Sequence, residues 1–119
     1  MDGSHFLFFL KQGAIMKRNA FVMHLYPGCE AEYKKRHDEI WPELKAELRK
    51  AGVLDYTIYL EPKTNYLFAF QHLADDAADG ELADKEIVKK WWHMMKDIMD
   101  TNPDESPLCD ELKEVFHMD

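Results

Sequence analysis

The apolar residues of this chain change their spacing several times between its ends, and that changing period is what most narrows the folds open to it. Ala20-Phe21-Val22-Met23-His24-Leu25 is a mostly apolar run closed by Pro27-Gly28, the pattern of a strand between Asn19 and Tyr26. From 29 to 50 the spacing lengthens to three or four, so that Tyr33, His37, Ile40, Trp41, Leu44 and Leu48 share one helical face. Pro42 removes a backbone donor and disfavours helical geometry at Trp41, which predicts a kink or restart there, and Gly52 stops the helix. Over Val53 to Glu61 the period drops to two, with Tyr56, Ile58 and Leu60 alternating with Thr57 and Tyr59. The turn residues Pro62-Lys63-Thr64-Asn65 then lead into a partner strand from Tyr66 to Leu73. A broad helical face follows between Lys85 and Met99, carried by Ile87, Val88, Trp91, Trp92, Met95 and Ile98. After the stiff Asn102-Pro103-Asp104-Glu105-Ser106-Pro107 loop, Leu112, Val115 and Phe116 mark a last strand from Glu111 to Met118.

The order βαββαβ predicts an α+β fold, a ferredoxin-like sandwich with a four-stranded antiparallel sheet and both helices on one face. With 46% hydrophobic and 13% aromatic residues, the 119-residue chain has apolar material for one core, placed in a single domain over 16–119. Residues 1–15 lie outside the pattern and read as an N-terminal extension before Met16-Lys17-Arg18. Its stretch Phe6-Leu7-Phe8-Phe9-Leu10 needs cover from the domain or a partner if exposed. Strands two and three are apolar on both faces, although helices cover only one. A second copy packed sheet on sheet, a dimeric α+β barrel, is therefore expected to cover the other face, leaving the gap between sheet and helices as the natural pocket.

A net charge of −8, with Lys and Arg scattered among carboxylates, argues against nucleic acid as a partner and mildly against a strongly anionic substrate. Cys29 and Cys109 have neither the density of a disulfide scaffold nor the spacing of a zinc site, so reduced thiols and a cytoplasmic location are expected. No apolar run approaches the ~20 residues that cross a bilayer, and the N-terminal stretch lacks the basic flank and cleavage site of a signal peptide.

The residues that could carry chemistry gather around Tyr33, His37 and Trp41, spaced four apart on one face. Spacing alone leaves His37 open to two readings, a hydrogen-bonded core histidine or a proton carrier near neutral pH. Tyr56 and the Trp91-Trp92 pair converge on the same sheet-to-helix gap. Such a set suits a sugar, since aromatic faces cover its C–H surface while phenol and indole groups bond its hydroxyls. His24, His72, His93 and His117 lack metal-ligand spacing, and strands one and three are expected to hold His24 and His72 at opposite edges of the sheet. There is no phosphate loop, no nucleophile elbow and no serine or cysteine beside a local histidine, so neither a metal nor a cofactor is expected. Asp75, Asp76, Glu81 and Asp84 read as a solvated acidic loop and not a calcium site, and Lys35 and Arg36 as facing solvent or pairing with Glu32 and Glu39.

Four separated blocks carry a more specific signal: EYKKRHDEIWPEL at 32–44, DYTIYL at 55–60, WWHMMKDIM at 91–99, and NPDESP at 102–107 followed by ELKEVFHM at 111–118. In this order the chain resembles the L-rhamnose mutarotase family from about Lys17 to Met118. The resemblance implies a dimeric ferredoxin-like fold and interconversion of the α and β anomers of L-rhamnose. It also places the family's acid/base histidine on His37, its substrate-contacting tyrosines on Tyr33 and Tyr56, and its tandem tryptophans on Trp91 and Trp92. Segment 74–84 departs from the pattern, with Asp79 where an aromatic residue is expected. The chemistry needs a base for the anomeric hydroxyl and an acid for the ring oxygen. His37 can serve as one, with bound water or Asp38 as candidates for the other. Two other functions fit the same architecture, a cofactor-independent monooxygenase and a non-catalytic sugar-binding module.

Overall fold

The computed structural model describes residues 17–74 and 82–119. Strand β1 (Lys17–His24) leads into helices α1 (Glu30–Asp38) and α2 (Pro42–Lys50), then strands β2 (Val53–Glu61) and β3 (Tyr66–Leu73). A 3-10 turn (Leu82–Asp84), helix α3 (Glu86–Met95) and the short strand β4 (Asp110–Glu111) complete the chain. The strands form one antiparallel sheet in the order β2-β3-β1-β4, the ferredoxin-like arrangement. The N-terminal extension over 1–15, its apolar stretch, Asp79 and most of the acidic cluster lie outside the described residues.

Pro42 divides the first helical segment completely. Trp41 takes an extended conformation (φ −61°, ψ 128°), as the residue before a proline must, and Pro42 occupies the first turn of α2, where its missing donor costs nothing. Gly52, at φ +89°, ends α2 in the left-handed region that suits glycine.

The inner face of the sheet forms the core. Phe21 and Met23 of β1, Leu25 just after it, and Leu67, Ala69 and Leu73 of β3 are buried against the helices. Two clusters result, one around Phe21, Leu67 and Met95 and one around Leu44, Leu73 and Val88, and Trp91 packs against both.

A β-bulge decides which face β2 presents. Leu54 pairs with His72 and Thr57 with Phe70, so Asp55 and Tyr56 together lie opposite Gln71. Asp55 sits at φ 49°, and its carboxylate lies 3.1 Å from His72 Nδ1. The extra residue resets the alternation, putting Tyr56, Ile58 and Leu60 on the helix side with Gln71, Ala69 and Leu67.

Two expectations need correction. The last strand spans two residues instead of eight, pairing Glu111 and Asp110 with Phe21 and Val22, and residues 112–119 carry no regular structure. Leu112, Val115 and Phe116 are spaced by three and one, so they cannot share one side of a pleated strand. His24 and His72 are indeed apart, but β1 and β3 are adjacent central strands. Their antiparallel register does the separating, since His24 pairs with Tyr66 while His72 pairs with Arg18. The outer face of the sheet exposes Tyr59, Tyr66 and Phe70, and the C-terminal segment exposes Val115 and Phe116.

Candidate functional site

A cavity of about 800 Å³ opens between the inner face of the sheet and the helices. Tyr33, His37, Tyr56, Trp91 and Trp92 all border it, as does Gln71. Trp41 stands behind this wall, its ring edge-to-face with Trp91 at 5.2 Å.

His37 lies in the last turn of α1, stacked on Tyr33 (centroids 4.2 Å apart) and edge-to-face with Trp91 at 5.3 Å. Its Nδ1 is 3.0 Å from the Tyr33 carbonyl oxygen. A carbonyl only accepts, so Nδ1 carries the proton and Nε2 presents a lone pair. Burial between the aromatic rings lowers the imidazole pKa below its ordinary 6.5, opposed by the Tyr33 carbonyl and the charge of Asp38. The neutral ring is thus the resting form at neutral pH, with one nitrogen able to accept a proton.

Tyr56 rises from the sheet on the opposite side, its ring edge-to-face with Phe21 at 6.3 Å. It keeps 38% of its surface accessible and borders the cavity. Burial holds the phenols of both Tyr33 and Tyr56 far above their ordinary pKa, so each stays protonated and serves as a donor. In Tyr33 the neighbouring Tyr56 adds to the shift; in Tyr56 Cys109 adds to it and a hydrogen bond with Gln71 opposes it. The Cys109 thiol is pushed up to about 11, first by burial and then by Asp110 and Glu111, which leaves it a poor nucleophile.

Arg36 does more than pair along its own helix. Its Nε donates to Glu32 at 2.7 Å, while Nη1 donates to the Met94 carbonyl at 2.8 Å and to Asp97 at 2.9 Å. Nη2 reaches the other Asp97 oxygen at 3.3 Å, making a forked pair, and only 17% of the side chain is exposed. This latch ties the helix of Tyr33 and His37 to the end of the helix that carries Trp91 and Trp92. Asp38, by contrast, is 61% exposed and bonded to Lys34 at 3.0 Å.

Gln71 and Asn19 were not singled out from the sequence, although a signal was there. Each is polar at an inward position whose buried neighbours along the strand face are apolar, Phe21 and Met23 in β1 and Leu67, Ala69 and Leu73 in β3. Among the described residues, no group of three or more His, Cys, Asp and Glu is arranged to hold a metal ion, and no helix is long and apolar enough to cross a membrane.

A sequence model described as L-rhamnose mutarotase matches residues 18–118. The chain belongs to the L-rhamnose mutarotase family. An L-rhamnose mutarotase of Bacteroides thetaiotaomicron is 59% identical, over 87% of this chain and 100% of its own length. One of Oceanobacillus iheyensis is 48% identical over the same shares. The crystal structure of an L-rhamnose mutarotase from Formosa agariphila superposes with a TM-score of 0.80 at 50% identity, covering 87% of this chain and 99% of that one. A conserved protein of Methanosarcina mazei, 15% identical with a TM-score of 0.55 over 91% of this chain and 99% of its own, shares the fold alone. The blocks that carry the mutarotase resemblance hold His37, Tyr33, Tyr56, Trp91 and Trp92, the side chains that meet around the cavity.

Proposed function

We propose that this chain interconverts the α and β anomers of L-rhamnopyranose, with His37 transferring the anomeric proton. The observation that carries the reading is the Nδ1 contact of His37 with the Tyr33 carbonyl, which leaves Nε2 as a base in an aromatic cavity. Nε2 takes the proton from O1 and the C1–O5 bond breaks to give the open-chain aldehyde, while the ring oxygen gains a proton. Rotation about C1–C2 and attack on the other carbonyl face close the opposite anomer, and His37 returns its proton to O1. Trp91 and Trp92 cover the apolar faces of the sugar, and Tyr33 and Tyr56 bond its hydroxyls. Every step is an acid/base step, so the reaction calls for no metal or redox cofactor.

NMR saturation exchange between the two anomeric protons of L-rhamnose tests the reading. The protein is expected to accelerate exchange, and His37→Ala to remove the acceleration. No acceleration by the wild-type protein on rhamnose or a related 6-deoxy sugar would reject the activity. Acceleration that survives His37→Ala would reject the role of His37.

The working form is a homodimer joined through the outer face of the sheet, in the cytoplasm, with one functional unit per chain from about residue 16 onwards. Support for the dimer comes from Tyr59, 62% exposed on that face beside Phe70, and from a second cavity of about 880 Å³ between them and Leu112 to Phe116. The match over 18–118 supports the single unit.

A further inference from the structure

The mutarotase cycle needs a proton donor for the ring oxygen opposite the base, and the exposed Asp38, tied to Lys34, is poorly placed to supply it. A row of three polar side chains crosses the inner face of the sheet instead. Asn19 of β1 is the register partner of Gln71 of β3, and the bulge of β2 puts Tyr56 opposite Gln71 on the other side. Both amides are deeply buried, Asn19 at 5% and Gln71 at 3% exposure. Buried amides of this kind persist only where they are satisfied, so their orientation is informative.

Asn19 Nδ2 donates to Gln71 Oε1 at 3.0 Å. With its oxygen occupied by that donor, Gln71 has its N–H groups left for its other neighbour, Tyr56, which the bulge of β2 sets opposite it. A phenolic oxygen that accepts from an amide keeps its own proton free, and Tyr56 and Gln71 both border the cavity. Resting on the mutarotase reading, we propose that Gln71, clamped by Asn19, is a positioning residue that donates to Tyr56 and aims the phenolic proton at the ring oxygen of the sugar.

The cavity then offers an acceptor on the helix side, His37 Nε2, and a donor on the sheet side, the Tyr56 hydroxyl. As His37 takes the O1 proton, the C1–O5 bonding pair moves to O5, which takes the Tyr56 proton. The Gln71 amide holds the negative charge that develops on the phenolic oxygen. On reclosure O5 returns its proton to Tyr56 as it attacks C1, and His37 returns its proton to O1. No proton or electron is gained or lost over the cycle.

Gln71→Glu keeps the shape of the side chain and reverses the hydrogen bond. A carboxylate only accepts, so the Asn19 contact survives while Tyr56 must donate to Glu and its proton leaves the cavity. The rate constant for anomer exchange at saturating rhamnose is expected to fall about tenfold or more with little change in KM, because the lost donation acts on the transition state. In a Tyr56→Phe background, where no phenolic proton remains to aim, Gln71→Glu should have no further effect. Asn19→Asp is a second variant that leaves both other side chains in place. Its carboxylate draws the Gln71 amide towards itself, turns Oε1 on Tyr56, and should produce the same loss. The proposal is overturned if each folded variant keeps its rate within about twofold of wild type, well inside the loss expected for a misdirected donor. It is equally overturned if Gln71→Glu slows the Tyr56→Phe enzyme as much as it slows the wild type. A wild-type protein that does not accelerate rhamnose exchange would fail at an earlier stage, rejecting the activity itself.

Discussion

Replacing Trp91 with alanine perturbs stability and chemistry together, and the structure separates the two. The Trp91 ring packs against both core clusters and borders the cavity on its remaining surface. A tryptophan buries roughly 200 Å² when enclosed, worth about 5 kcal/mol at 25 cal/mol per Å²; half-burial reduces this to about 2.5 kcal/mol. The edge-to-face contacts with His37 and Trp41 add about 1 kcal/mol each, for a total loss of about 4.5 kcal/mol. A domain of this size has about 5–15 kcal/mol in hand, so Trp91→Ala should fold at 25 °C, with a Tm lower by roughly 15–25 °C. Trp91→Phe keeps a ring in the wall and should lose about half as much. The chemical consequence is distinct. Trp91 is one of the two rings enclosing His37, and desolvation is the leading cause of the lowered imidazole pKa. Opening that wall should move the pKa back up towards 6.5, shifting the acid limb of the pH–rate profile to higher pH. Anomer exchange followed by NMR across pH 4.5 to 8, beside thermal melts of the same samples, measures both effects. An acid limb that stays in place in a folded Trp91→Ala protein would refute the claim that this ring helps hold His37 neutral.

In the wild type, the same lowered pKa sets the sign of two pH effects. Exchange should be sustained at neutral pH and fall as acidification protonates Nε2, and the folded state should weaken in the same direction. Because the native ring binds its proton less readily than the unfolded one, stability is fully present above the unfolded value of about 6.5 and lost as pH falls through the folded pKa. Urea titrations with and without His37→Gln isolate that contribution, and an unchanged acid-side slope in the variant would contradict it. Arg36→Ala removes the latch between α1 and the end of α3 and should lower both melting temperature and exchange rate. Arg36→Lys, which cannot make the forked contact with Asp97, should recover only part of either, and full recovery would mean that the fork is unimportant. Phe70→Glu together with Tyr59→Glu places charges on the outer face of the sheet and should shift sedimentation from dimer to monomer. A wild-type protein that sediments as a monomer would refute the proposed association.

What the sequence made legible follows from the range over which each signal acts. The break before Pro42 and the helical placing of Tyr33, His37, Leu44 and Leu48 depend on neighbours within a few residues and hold in the structure, whereas Ile40 and Trp41, read on the same helical face, lie in the break between α1 and α2. The forked contact of Arg36 spans 61 residues to Asp97, so local spacing offered only its near partner, Glu32. The alternation of Tyr56, Ile58 and Leu60 gave their common face but not the bulge behind it, which exists only against a partner strand. At the chain end, the apolar residues after Glu111 suggested a strand, although their spacing already departed from a period of two. For the site, aromatic types and helical spacing gathered the cavity wall. The tautomer of His37 and the Asn19–Gln71 row depend on which atoms meet, and no spacing encodes that.

The bulge at Asp55 and Tyr56 also shapes how this strand can vary. Deleting Asp55 would leave Tyr56 alone opposite Gln71, between the unchanged Leu54–His72 and Thr57–Phe70 pairs, so the strand would run without a bulge and Tyr56 would keep its side of the sheet. A deletion between Thr57 and Glu61, where no extra residue stands to absorb it, would turn the side chains on one side of the cut to the opposite surface. The same one-codon change is absorbed at one end of this strand and reverses its faces at the other.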